Sequence, residues 1–180
     1  MSKIDESLPF LPVNIALLTV SDSRTRETDK SGNLLQEMIE RDGHQVVTRE
    51  IRRDEASEIE AFLRNCIADE QVDCVISTGG TGVTGRDVTP EAFSRVMDKE
   101  IEGFGELFRW LSFEEIGAST IQSRCTAGVA NGTLVFALPG STGACRTAWD
   151  RILASQLDAR TKPCNFVSLI PRMRETAPSR

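Results

Sequence analysis

The sequence has one histidine, no tyrosine and no C-x-x-C pair among its five cysteines. His44 falls in a helix-to-strand turn, away from the strand ends where ligands gather. Ser-His-Asp and Cys-His chemistry therefore has no support. Cys66, Cys74, Cys125, Cys145 and Cys164 are odd in number and lack zinc-ligand spacing. That speaks against a zinc site or a disulfide framework and points to a reducing, cytoplasmic setting. Positive charge is in deficit: the formal net charge is −6, so bulk electrostatics predict no nucleic-acid partner. No apolar run approaches the ~20 residues of a membrane span. No basic segment followed by an apolar one opens the sequence, so no signal peptide and no membrane association are expected. Internal repeats and low-complexity segments are also missing.

What remains is a chain of 180 residues, 39% hydrophobic and 27% charged, the size and balance of one globular domain. Apolar runs alternate with amphipathic stretches. Asn14 to Val20 is nearly continuous in apolar residues, the mark of a strand covered on both faces. Gln45 to Ile51, Val72 to Ser77 and Thr133 to Leu138 read as three more strands. Between them lie helical faces: Leu34, Leu35, Met38 and Ile39, then Ile59, Phe62, Leu63, Cys66 and Ile67. Ser31 is the expected cap of the first helix and Gly43 its stop, and Ser57 with Glu60 forms a candidate capping box for the second. Further helices carry Ile101, Phe104, Leu107, Phe108 and Leu111, and then Cys145, Ala148, Trp149, Ile152 and Leu153. Residues 117–130 give no clear pattern. The expected organisation is an arm at 1–12, a domain at 13–166 and a tail at 167–180. Alternating strands and helices predict an α/β fold, a mostly parallel sheet with helices on both faces. Ligands then sit beyond the carboxyl ends of the strands. There the sequence places Ser21 onward, Thr78 onward and Pro139 onward, with Asp54 after the second strand.

The richest of these loops is Thr78-Gly79-Gly80-Thr81-Gly82-Val83-Thr84-Gly85-Arg86-Asp87. Glycines let backbone N–H groups approach a phosphate closely. Thr89 and Pro90 then start a helix, Thr89 as cap and Pro90 at its first position. Gly80 to Gly85 has P-loop glycine spacing, but Arg86-Asp87 stands where Lys-Ser/Thr is required. Gly80-x-Gly82-x-x-Gly85 fits a dinucleotide fingerprint, yet it follows the third strand rather than the first. Four glycines exceed what a turn needs. Asp87 adds a carboxylate at the rim, suited to hold Mg²⁺ beside phosphates. Asp54 reads either as a helix cap or as a second such carboxylate. Ser141, in Pro139-Gly140-Ser141, either donates to a phosphate or caps the last helix; Ser21, Asp22 and Ser23 either touch a ligand or cap their own loop. Phe104, Phe108, Trp110 and Phe113 exceed one helix face, which suggests a subunit contact beside ordinary packing.

Together these blocks resemble a known family. Ser77 to Gly82 followed by Arg86-Asp87-Val88-Thr89-Pro90-Glu91-Ala92 is similar to the signature of molybdopterin-binding domains. Gly103 to Arg109, Leu111 to Gly117 and Ser123-Arg124 narrow the resemblance to the MogA/MoaB family. Ala137 to Ser141, Ala144 to Trp149 and Gln156 to Thr161 look most like its B branch. The resemblance covers about Asn14 to Phe166. It implies a three-layer α/β/α sandwich assembled as a homo-oligomer, trimer or hexamer. It implies adenylylation of molybdopterin with Mg²⁺-ATP and release of pyrophosphate, or a silent pterin-carrying role in the same pathway, alongside other molybdenum cofactor biosynthesis proteins. It implies that Asp54 and Asp87 are catalytic and hold the metal. Ser21, Thr78, Gly79, Gly80, Thr81, Gly82, Arg86, Pro139, Gly140 and Ser141 would bind substrate. Relatives often carry a lysine two residues after the Pro-Gly-Ser turn, where this chain has Thr142-Gly143. The resemblance leaves Arg86 or Arg124 to supply the basic contact.

Overall fold

A computed structural model describes residues 3–175. Its strands are β1 (Lys3–Ile4), β2 (Asn14–Val20), β3 (Gln45–Arg52), β4 (Cys74–Thr78), β5 (Lys99–Glu100), β6 (Thr126–Ala130), β7 (Thr133–Leu138) and β8 (Thr161–Lys162). Its main helices are α1 (Lys30–Arg41), α2 (Ala56–Ala68), α3 (Thr89–Ser94), α4 (Glu102–Ile116) and α5 (Thr142–Ala148). The chain continues from α5 through a π-helical turn at Trp149–Leu153. The central sheet has the order β3-β2-β4-β7-β6-β5. Strands β3, β2, β4 and β7 are parallel; β6 runs antiparallel to β7 and to β5.

The period-2 alternation of a strand divides the core into two layers. On β2, Ile15 and Leu17 face one side, with Ile76 of β4 and Phe136 of β7, against α1, α4 and α5. Ala16 and Leu18 face the other, with Val75 and Val135, against α2 and α3. The expected three-layer α/β/α sandwich is the observed one. The four strands expected from the sequence are its four parallel strands.

Residues 117–130, which showed no period, form a 3₁₀ turn (Gly117–Gln122) and then β6. β6 reads Thr-Ala-Gly-Val-Ala and has few of the branched residues that announce strands. Its Gly128 is small for a reason: a Cβ there would lie 2.3 Å from the Met97 sulfur and 2.5 Å from the Lys99 carbonyl.

Three capping expectations need correction. Asp29, not Ser31, caps α1, its carboxylate accepting from the Gly32 N–H at 2.9 Å. The Ser31 hydroxyl instead donates to the Gly140 carbonyl at 2.7 Å. Helix α2 begins after Glu55 with no side-chain cap, and Glu60 pairs with Arg64 instead. The Thr89 hydroxyl caps nothing and donates to the Gly79 carbonyl at 2.9 Å. Gly43 does follow the end of α1, at φ +90°. The arm docks through β1 on β8, and Phe10 packs on His44. Packing continues beyond the boundary expected at Phe166: Val167 is buried in the core and Ile170 and Met173 lie against it. His44 is buried, and its Nδ1 accepts from the Val13 N–H at 3.1 Å, a structural role.

Candidate active site

The parallel strands β2, β4 and β7 end together, and the loops that leave them enclose two adjoining cavities. The first, of about 320 Å³, is lined by Thr19, Ser21, Arg24, Asp54, Asp87 and the loop backbone of Thr78, Gly79 and Gly80, among others. The second, of about 400 Å³, is lined by Thr81, Gly82, Gln122, Ser123, Pro139 and Ser141. Gly80, Asp87 and Gly140 belong to both. The structure therefore gathers Ser21, Asp54, Thr78, Gly79, Gly80, Thr81, Gly82, Asp87, Pro139, Gly140 and Ser141 into one continuous cleft. Of the expected residues, Arg86 and Arg124 line neither cavity. Each cavity falls within the usual range for small-molecule sites.

Two glycines of the loop have packing reasons to be glycine. Gly79 has φ +107°, and a Cβ on it would lie 2.2 Å from the Val20 carbonyl oxygen. Gly80 has φ +65°, and its Cβ would lie 2.4 Å from Thr89 Oγ1 and 2.8 Å from Asp54 Oδ1. The loop thus rests directly on the end of β2 and on the first turn of α3. Gly85 has nothing within 4 Å of its Cβ position. The surplus of glycines is smaller than the sequence suggests.

Arg124 fixes the outer half of the loop. Its Nε donates to the Gly82 carbonyl at 2.6 Å, its Nη2 to the Asp87 carbonyl at 2.7 Å, and its Nη1 pairs with Glu91. Arg86 is held by Asp22 at 2.8 Å and by Glu55 at 3.0 Å. Both arginines expected to meet a phosphate are spent on the protein itself. Ser141 caps α5, accepting from the Ala144 N–H at 3.2 Å. The Thr78 hydroxyl donates to the Pro139 carbonyl at 2.9 Å, joining the β4 and β7 loops.

Residues 16–159 match the family described as a probable molybdopterin binding domain. The chain belongs to the molybdopterin-binding domain family. It is 55% identical over 160 residues to molybdenum cofactor biosynthesis protein B of Escherichia coli K12, covering 89% of this chain and 94% of that protein. Identity to the same-named protein of Bacillus subtilis is 46% over 147 residues, with coverage of 81% and 86%. A crystal structure of a molybdenum cofactor biosynthesis protein B superposes with a TM-score of 0.83 at 40% identity, covering 92% of this chain and 98% of that one. The tungsten cofactor synthesizing protein MoaB from Pyrococcus furiosus gives 0.75 at 33% identity, with coverage of 91% and 98%. The role of this molybdopterin-binding domain lies in molybdenum cofactor biosynthesis.

The electrostatics of the domain's cleft are uneven. Burial raises the Asp54 carboxyl above its ordinary range; the Asp22 charge adds to this, Arg86 opposes it and Asp87 adds a little more. Asp87 moves the other way, held down chiefly by the Thr84 hydroxyl, which donates to Oδ2 at 2.6 Å, and by the Thr84 N–H at 2.9 Å. Deeper in, Asp29 is buried. Burial alone would raise its carboxyl, but bonds from Gly32, Thr19 and Arg49 keep it below the ordinary value. The Arg49–Asp29 pair is 2.8 Å apart, with side chains only 7% and 2% exposed.

Three residues of the site were not evident from sequence. Asp29 is the cap and anchor of the Ser21–Lys30 segment, and Ser31 ties α1 to the β7 loop. Arg24 lines the first cavity. The available signal was position: all three follow directly on the first parallel strand.

Proposed function

We propose that this domain adenylylates molybdopterin, using ATP with Mg²⁺ and releasing pyrophosphate. The observation that supports this reading is the convergence of Asp54 and Asp87 on a glycine-rich phosphate cradle at the carboxyl ends of β2 and β4. The chemistry asks little else of a protein. An oxygen of the molybdopterin terminal phosphate attacks the α-phosphorus of ATP. A new P–O–P bond forms, the α–β bond breaks, and pyrophosphate leaves with the bonding electrons. A phosphate monoester is already anionic, so no histidine or serine nucleophile is needed; alignment and charge neutralisation supply the rate.

The residues fit a magnesium ion. Among the described residues, no group of three or more His, Cys, Asp or Glu is arranged to hold a metal. Mg²⁺ rarely requires one: it takes one or two carboxylates and completes its shell with substrate phosphates and water. Asp54, whose charge burial and its acidic neighbours disfavour, gains most from such a cation. Bound there, the ion would neutralise charge on the phosphate oxygens. The N–H groups of Gly80 and Thr81 would cradle phosphate, since that of Gly79 donates to the Leu138 carbonyl at 3.0 Å, and Thr84 fixes the Asp87 carboxylate.

The test is direct. Purified protein, molybdopterin and Mg²⁺-ATP are mixed, and pyrophosphate is followed with a coupled assay. Release that depends on all three components supports the reading. The second reading, a silent pterin carrier, is favoured by the internal engagement of Arg86 and Arg124, and it is met if molybdopterin binds without pyrophosphate appearing.

The same reading includes a homo-oligomer. Trp110, Phe113 and Ile116 of α4 are 64%, 59% and 55% exposed, more apolar surface than solvent favours. Phe104 and Phe108, by contrast, are buried and belong to the core. A cytoplasmic setting, where the thiols stay reduced, completes the proposal.

A further inference from the structure

The cleft that would hold a triphosphate is acidic, with Asp54 and Asp87 on its walls. Magnesium offsets part of the substrate charge; a cationic side chain would normally take more. Arg86 is bound by two carboxylates and lines neither cavity. Arg124 is spent on Glu91 and two loop carbonyls. Arg49 is buried against Asp29. Arg26 donates to the Arg49 carbonyl.

One arginine is left. Among the described residues, Arg24 is the only lysine or arginine lining either cavity. Its side chain is exposed and forms no ion pair among the described residues. Its one side-chain bond is a long one, Nη1 donating to the Thr28 carbonyl at 3.2 Å. The backbone beneath it is firmly held. The Arg24 N–H donates to Ser21 Oγ at 3.3 Å, the Ser21 N–H donates to the Arg52 carbonyl at 2.8 Å, and buried Asp29 anchors the far end of the segment. A guanidinium on a fixed base with no carboxylate partner is poised for an anion. Its planar fork matches phosphate oxygens in pairs.

We propose that Arg24 binds the polyphosphate of the nucleotide, in the cavity that also holds Asp54 and Asp87. It thereby supplies the cation that the Pro-Gly-Ser turn and Arg86 do not. This rests on the adenylyl-transfer reading and assigns it a specificity residue. Arg24 contacts the non-reacting phosphates and favours departure of pyrophosphate as its charge develops.

Wild type, Arg24→Ala and Arg24→Lys are titrated calorimetrically with magnesium pyrophosphate and with Mg²⁺-ATP, and molybdopterin affinity is measured alongside. Arg24→Ala should weaken both phosphate ligands by about 10- to 100-fold, the range of a charge-assisted pair. Lysine should restore part of the loss, because charge survives and the fork does not. Molybdopterin affinity and the thermal midpoint should change little, which separates phosphate binding from a structural role. Pyrophosphate affinity within twofold of wild type in Arg24→Ala would overturn this proposal alone. Failure of the wild type to bind either phosphate ligand would overturn the adenylyl-transfer reading, and this proposal with it.

Discussion

Gly79→Ala tests how the phosphate loop is built. Gly79 sits at φ +107°, and its missing Cβ leaves only 2.2 Å to the Val20 carbonyl oxygen. A side chain in that region of backbone space costs about 1–3 kcal/mol. The contact is with backbone at the end of a central strand, so no rotamer change relieves it. Forcing the two apart resembles overpacking, a further ~1–3 kcal/mol. The sum is about 2–6 kcal/mol against a typical total of ~5–15 kcal/mol. At roughly 2–4 °C per kcal/mol for a chain of this size, the midpoint should fall by about 4–24 °C. Gly85→Ala is the matched control: nothing lies within 4 Å of its Cβ position and its φ is not left-handed. It should leave stability unchanged or raise it by up to about 1 kcal/mol. Both are read by urea denaturation and by phosphate-ligand affinity. If Gly79→Ala were as stable as Gly85→Ala, the loop would not rest on β2 as described.

Other outcomes follow from the same geometry. Asp54→Asn should raise the thermal midpoint at neutral pH while abolishing pyrophosphate release. A carboxyl with a raised pKa favours the fold in its protonated form and loses that contribution as pH rises through the folded value. The stability advantage of the Asp54→Asn variant should therefore disappear on acidification below the ordinary carboxylate range. An equal midpoint at neutral pH would contradict the assignment. Asp87→Asn keeps an acceptor for Thr84, so it should preserve the fold but cut turnover at least ~100-fold, on the scale of lost electrostatic stabilisation. Asp29→Ala strands Arg49 in the interior and should cost about 3–5 kcal/mol, measured by chemical denaturation. Trp110→Asp with Phe113→Asp should shift sedimentation toward the monomer, because both side chains are exposed. An unaltered profile would remove α4 from the subunit contact.

Strands β2, β4 and β7 were readable because they are buried on both faces and so appear as apolar runs, Asn14 to Val20 above all; the edge strand β3 is only half-buried and carries Arg49 and Glu50. β6 was not readable, since its Thr-Ala-Gly-Val-Ala has few branched residues and Gly128 serves close approach to Met97 and β5 rather than strand propensity. The same distinction runs through the site. The glycine loop and the two carboxylates stand out as residue types. The fate of an arginine does not: Arg86 and Arg124 differ from Arg24 only in what the fold puts beside them. Helix caps failed for a related reason. Ser31 and Thr89 are good capping types, but tertiary partners, the Gly140 and Gly79 carbonyls, took their hydroxyls. The aromatics of α4 divided in the same way, Phe104 and Phe108 into the core and Trp110 and Phe113 out to solvent.

The central claim is that this cleft joins a nucleotide to molybdopterin. A single-turnover reaction with α-labelled ATP tests it most directly. One equivalent of label is expected to transfer to molybdopterin as pyrophosphate is released, in wild type and not in Asp87→Asn. Tight molybdopterin binding with all label remaining in ATP would contradict it.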